Sequence, residues 1–163
     1  MNSEGIIFVR VDDRMVHGIV ATQYIPFHKA TRAMVVNEKA SKSDIMRTSL
    51  KMACPTGVAL SVLAPEKAAE NLNAGKYKGQ RVVVVGKFVS DIYALYKAGV
   101  KFDALDLGNC TQNDVADQAS LKVLDKTFRV NAEEYAMLKE MKEGGVRVYA
   151  QFTVQSPEKD IQF

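Results

Sequence analysis

Tryptophan is absent from this chain, cysteine and histidine occur twice each, and there are only four prolines in 163 residues. The two thiols, Cys54 and Cys110, form no CxxC pair and stand in no metal-ligand spacing, so neither a disulfide framework nor a zinc module organises the fold, and both read as reduced thiols. No apolar run approaches the roughly 20 residues that span a bilayer, and the opening MNSEG lacks the basic segment of a signal peptide, so a soluble cytoplasmic protein is expected. The formal net charge is only +3, with acids and bases interspersed, which leaves no basic patch for nucleic acid. Also missing are GxGxxG and GxxxxGK[ST], and with them the glycines that let backbone approach a pyrophosphate. Internal repeats and low-complexity tracts are absent as well.

What is present is ordinary globular material, 47% hydrophobic and 25% charged, of a length that fits one domain over residues 1–163. Short β-branched runs recur at GIIFVRV (5–11), RAMVVN (32–37), GVALSVL (57–63), QRVVVVG (80–86), FDALDLG (102–108) and GVRVYAQF (145–152). Runs that are continuous rather than alternating predict strands buried on both faces. Helical signals lie between them. Ser41 and Asp44 resemble a capping box before SKSDIMRTSLKMA, and Pro65 suits a first turn. Ser90 and Asn131 stand where N-caps belong, before DIYALYKA and AEEYAMLKEMKE. The alternation predicts an α/β domain with a single doubly wound, mostly parallel sheet and helices on both faces. The stretch from Asn109 to Arg129 breaks the pattern and reads as a loop with one or two short antiparallel strands at the sheet edge. SPEKDIQF reads as a closing helical turn from Pro157.

The chemistry gathers behind the first strand, in DDRMVHGI (12–19). Ligands of open α/β sheets bind at the carboxyl ends of strands, and a helix opening near Gly18 offers unpaired N–H groups to an anion. His17 stands at that rim. A neutral imidazole is a nucleophile when a hydrogen bond to its other nitrogen fixes the tautomer, a contact that Asp12 or Asp13 can supply. Arg14 can hold phosphate oxygens in its planar fork. Together they form a candidate phosphohistidine site. A receiver domain is a poor fit, because GVALSVLAPEK has no Asp to accept phosphate, and a glycosidase needs carboxyls spaced around a sugar. His28 reads as a structural cation near the end of the first helix. Met15, Val16, Tyr24 and Phe27 are candidate partner contacts.

VDDRMVHGIVATQY resembles the signature of the IIB components of the mannose/sorbose family of the bacterial phosphoenolpyruvate-dependent sugar phosphotransferase system. VVNEKASKSDIMRTSLKMACPTGV, VVVVGKFVSDIYALYKAGV, LDLGNCTQ and the closing strand–helix–strand extend the resemblance over nearly the whole chain. The GK and NEK segments lean toward its N-acetylgalactosamine-type branch. Two departures stand out: Phe88-Val89 where the family often has a proline pair, and Cys110 where it usually has Met. The resemblance implies a phosphohistidine sugar phosphotransferase. A separate phosphorylated IIA domain would deliver phosphate to His17 at Nδ1, and the phosphate would pass to a sugar held by membrane IIC and IID subunits. The protein itself would be cytoplasmic and peripheral to the transporter. Arg14 and Gly18 would bind the phosphate, Asp12 and Asp13 would order the loop, and Gly108, Asn109 and Lys87 are further pocket candidates. No metal and no cofactor are called for. The competing reading is a IIB-like docking module that signals its phosphorylation state without feeding a transporter.

Overall fold

Four consecutive valines, Val82 to Val85, are fully buried in β4 (Val82–Gly86) because the strand has a hydrophobic core on each side. Val82 and Val84 belong to one core, with residues of α4 (Pro65–Asn73), α5 (Val89–Lys97) and α6 (Ala132–Glu143); Val83 and Val85 belong to the other, with Tyr24, Ile25, Ala40 and Leu50. That is why the run does not alternate. The computed structural model describes residues 1–163.

Seven strands form the main sheet in the order β3-β2-β4-β1-β5-β8-β9. They are β1 (Ile6–Asp12), β2 (Arg32–Val36), β3 (Ala59–Leu63), β4, β5 (Ala104–Asn109), β8 (Arg147–Ala150) and β9 (Lys159–Asp160). All pairs are parallel except β8 with β9. From β1 the chain winds outward to β2 and β3, then returns through β4, β5 and β8, so the loop after β1 opens where the winding reverses. No helix is long and apolar enough to cross a membrane.

Local signals explain most element ends. Asn131 caps α6, its Oδ1 accepting from Glu134 N (2.8 Å) while Glu134 Oε1 accepts from Asn131 N (2.9 Å). Pro65 opens α4 as expected. Two starts differ. Ser41 ends a short α2 (Glu38–Ser41), and Ser43 is the residue that caps α3 (Asp44–Ala53), through Met46 N (3.2 Å). α5 begins one residue ahead of Ser90, because Asp91 reaches back to Phe88 N (3.0 Å).

Three further corrections have physical causes. The segment after Gly18 is a π-helix over Val20–Tyr24, followed by the one-turn α1 (Ile25–Phe27). Pro26 has no N–H for the carbonyl four residues back and its ring crowds that carbonyl, and the wider turn relieves both. Between Asn109 and Arg129 two short strands do form, β6 (Lys122–Asp125) and β7 (Phe128–Val130), but as a hairpin of their own, joined to the main sheet by a Cys110–Phe128 bridge and by Thr127 Oγ1 donating to Gly108 O (2.7 Å). The expected turn from Pro157 is instead strand β9, held by Arg147, which donates to Glu158 (2.6 Å) and Asp160 (2.8 Å).

Candidate functional site

Strand register sets the foundations of the site. Val11 lies beside Gly86 and Asp12 beside Asn109, so β1, β4 and β5 end together at one edge. The 13–18 loop then folds on Asp12. This carboxylate is fully buried; its Oδ1 accepts from Arg14 N (3.0 Å) and Arg14 Nε (3.5 Å), and its Oδ2 from Arg10 Nε (3.3 Å) and Nη2 (3.2 Å). Asp13 is tied to β5 twice: its N–H donates to Asn109 O (2.8 Å) and its Oδ1 accepts from Asn109 Nδ2 (2.7 Å). Met15 takes a left-handed conformation, with φ 58°, and buries its side chain beside the fully buried Val16. Gly18 is left-handed too, where a glycine costs little. Both carboxylates thus order the loop, and both are engaged away from the imidazole.

Ser49, on α3, meets His17 instead. Its Oγ lies 3.1 Å from His17 Nε2, while Nδ1 makes no hydrogen bond within the chain. The guanidinium of Arg14 stacks over the Phe152 ring at 5.6 Å and lies against Gly18. Its Nη2 is the one buried side-chain polar atom with no partner in the chain. The N–H groups of Gly18 and Ile19 are likewise unpaired. A half-buried imidazole, a guanidinium and free backbone donors therefore share one short turn, which is the equipment for receiving a phosphoryl group.

Beneath the loop lies a buried ionic hub. Arg10 Nη1 donates to Asp106 Oδ2 (2.6 Å) and Gln151 O (2.7 Å), Nη2 donates to Phe152 O (3.0 Å), and the Tyr24 ring packs 4.3 Å from the guanidinium carbon. Asp106 Oδ1 accepts from Gln151 N (2.9 Å). Two carboxylates share this one guanidinium. Burial outweighs its attraction, pushing the Asp106 carboxyl up to about 7 and shifting Asp12 in the same direction. Through the hub, the loop and the Gln151–Phe152 segment hang on the same side chain.

The remaining candidates divide. Asn109 joins the site through Asp13. Gly108 lies under it, since a Cβ there would fall 2.0 Å from Arg10 Cζ: the glycine makes room for the hub. Lys87 follows β4 with its ammonium over the Phe88 ring at 5.4 Å and makes no hydrogen bond to the loop. Of the apolar candidates, Met15, Val16 and Tyr24 are buried, and Phe27 is 65% exposed. An open groove of about 700 Å³ runs from His17 along α3, rimmed by Ile45 and Met52, each more than 80% exposed. His28 is not the expected cation. It stacks on Phe8 at 4.3 Å, and burial, with Arg81 nearby, holds its pKa below the usual value. Arg81 supplies the charge at that end, donating to His28 O (2.8 Å). Ser49, Phe152 and Arg10 were not singled out from sequence; only Arg10 left a trace, as a lone charge inside an apolar strand.

The chain is similar to proteins of one family over nearly its whole length. The family described as PTS system sorbose subfamily IIB component matches residues 6–162. A probable phosphotransferase enzyme IIB component of Streptococcus pyogenes is 32% identical over 82% of this chain and 82% of its own. A PTS system sorbose-specific EIIB component of Lacticaseibacillus casei is 28% identical over 96% of this chain and 92% of its own. The crystal structure of an N-acetylgalactosamine-specific IIB component 1 of Escherichia coli superposes with a TM-score of 0.86 over 96% of this chain and 99% of that one, a likeness of fold at 21% identity.

Proposed function

The chain belongs to the sorbose-subfamily IIB components of the phosphotransferase system, and from that membership we propose that His17 is the residue that carries its phosphate. Membership makes the protein a phosphocarrier of sugar uptake, with phosphotransferase activity, working alongside IIA, IIC and IID components. The finer reading is ours. A phosphorylated IIA domain on a separate protein delivers phosphate to His17. Arg14 and the free N–H groups at Gly18 and Ile19 receive its oxygens, and the phosphate moves on to a sugar held by membrane IIC and IID subunits. Residues 1–163 act as one IIB domain on the cytoplasmic side, docked to those subunits.

The observation that carries this reading is the state of the loop. His17 Nδ1, Arg14 Nη2 and two backbone N–H groups lack partners within the chain, while every neighbouring polar group of Asp12 and Asp13 named above is engaged. Unpaired donors beside an unpaired ring nitrogen suit an anion that arrives and leaves. A shallow seat also suits a carrier, which must hold phosphate without trapping it.

Incubation with phosphoenolpyruvate, the general phosphotransferase proteins and a cognate IIA domain tests this, with mass spectrometry under alkaline conditions that preserve phosphohistidine. Phosphate on His17 that depends on IIA is the expected result. Charged IIA with no phosphate on this chain would overturn the carrier assignment of His17 and favour the docking-module reading.

A further inference from the structure

We propose that Ser49 is the positioning residue of His17, accepting a hydrogen bond from Nε2–H so that Nδ1 presents its lone pair to the incoming phosphorus. This rests on the reading of His17 as phosphate acceptor and adds the group that selects the reacting nitrogen. Ser49 Oγ is the only side-chain atom bonded to the ring, at 3.1 Å, and it comes from 32 residues away. Its helix is a firm base. α3 is capped by Ser43, and Leu50, the residue next to Ser49, is fully buried against the sheet. A ring on a loop thus takes its orientation from a side chain on an anchored helix.

A hydroxyl can donate or accept, and the surroundings decide which. Were Ser49 the donor, the ring proton would sit on Nδ1, which has no acceptor in the chain and would no longer be a nucleophile. With Ser49 accepting, Nε2 keeps the proton and Nδ1 is free. The partner's neutrality matters as well. A carboxylate at Nε2 would add a full negative charge beside an arriving dianion and raise the basicity of the ring. Asp12 and Asp13 are adjacent in sequence yet held by Arg10, Arg14 and Asn109. A hydroxyl fixes the tautomer without charge, which keeps the N–P bond easy to break.

The transfer then balances without moving a proton on His17. The Nδ1 lone pair forms the new N–P bond as the donor's N–P bond breaks, and that electron pair returns to the donor's ring nitrogen. In the onward step the oxygen of the accepting hydroxyl forms the O–P bond, its proton leaves to a base on the acceptor's side, and the Nδ1–P electrons return to Nδ1. Nε2–H stays on Ser49 throughout.

The test compares wild type, Ser49→Ala and Ser49→Thr by ¹⁵N NMR of the unphosphorylated His17 ring and by the initial rate of IIA-dependent labelling. Wild type is expected to show the Nε2–H tautomer and Ser49→Ala a mixture with Nδ1–H, with labelling slowed about fivefold, the rate equivalent of one hydrogen bond. Ser49→Thr should restore both. An unchanged tautomer in Ser49→Ala overturns the proposal, and this holds even if labelling slows, since Ser49 would then be touching the donor instead. Wild type that shows the Nε2–H tautomer but takes no phosphate would sink the acceptor reading while leaving the Ser49 contact standing.

Discussion

Replacing Gly108 with alanine tests the buried hub directly. The new methyl would lie 2.0 Å from Arg10 Cζ, 2.2 Å from Nε and 2.3 Å from Nη2, where ordinary contacts begin near 3.5 Å. The guanidinium must shift by about 1.5 Å to make that room. Such a shift breaks the bonds from Nη2 to Phe152 O (3.0 Å) and from Nε and Nη2 to Asp12 (3.3 and 3.2 Å). Hydrogen bonds to charged groups contribute about 1.5–3 kcal/mol each, so losing these three gives about 4.5–9 kcal/mol. That is a large share of the roughly 5–15 kcal/mol by which domains are stable. Gly144→Ala is the matched control: its methyl would also fall 2.0 Å from a side-chain atom, Tyr96 Oη. That atom ends a half-buried side chain that packs on Tyr93 and Phe102 but has no hydrogen bond to lose, so the loss should be that of overpacking alone, about 1–3 kcal/mol. Equilibrium unfolding in urea, with slopes compared to confirm two-state behaviour, measures both. A Gly108→Ala loss within about 1 kcal/mol of wild type, or equal losses in the two variants, would refute the reasoning.

Other expectations concern the loop and pH. His17→Ala should abolish phosphate acceptance while changing stability by no more than about 0.5 kcal/mol, since a half-buried loop side chain adds little to the core; labelling and urea midpoints check the two halves. Arg14→Ala should slow acceptance by roughly 10²-fold, the scale of one lost charge-stabilising donor, as read from initial labelling rates. Asp106 carries a folded pKa of about 7 against an ordinary 3.8, so the folded state keeps a proton that the unfolded chain gives up. Its contribution is complete below about pH 4 and is lost as pH rises through 7. His28, held low, works in the opposite direction below its ordinary value of 6.5. The difference in unfolding free energy between wild type and Asp106→Asn, followed from pH 4 to 8, isolates the carboxyl, and a difference independent of pH would contradict the assignment.

How far the fold and site can be read in advance depends on whether a signal is local. Val82 to Val85 announce a strand buried on both faces by composition alone, and Asn131 with Glu134 announces a helix start, because the partners are three residues apart. DDRMVHGI is legible for the same reason, as strand end, loop and helix opening lie in one stretch. The π-helix was hidden because Pro26 acts on a carbonyl four residues back in a helix whose start looked regular. β9 was hidden because its strand character comes from Arg147 pairing with Glu158 and Asp160. Ser49 is one hydroxyl on an exposed helix face, and only the tertiary fold brings it to His17. Arg10 could have been suspected. A single charge amid buried aliphatics needs an opposite charge on a neighbouring strand, and Asp106 in ALDLGN stands in register with it.

The same hub constrains how such a chain can change over generations. Arg10, Asp12, Asp106 and Gly108 form a set in which each member makes sense only with the others. Lose the guanidinium and two buried carboxylates are stranded; lose a carboxylate and the cation is left short; enlarge the glycine and the cation has no room. A wholly apolar solution of the same volume can be as stable as a buried ion pair, but the step that removes Arg10 leaves both buried carboxylates without their cation. A change at any one of the four positions therefore calls for compensation at the others, and the loop that carries His17 takes its shape from side chains buried beneath it.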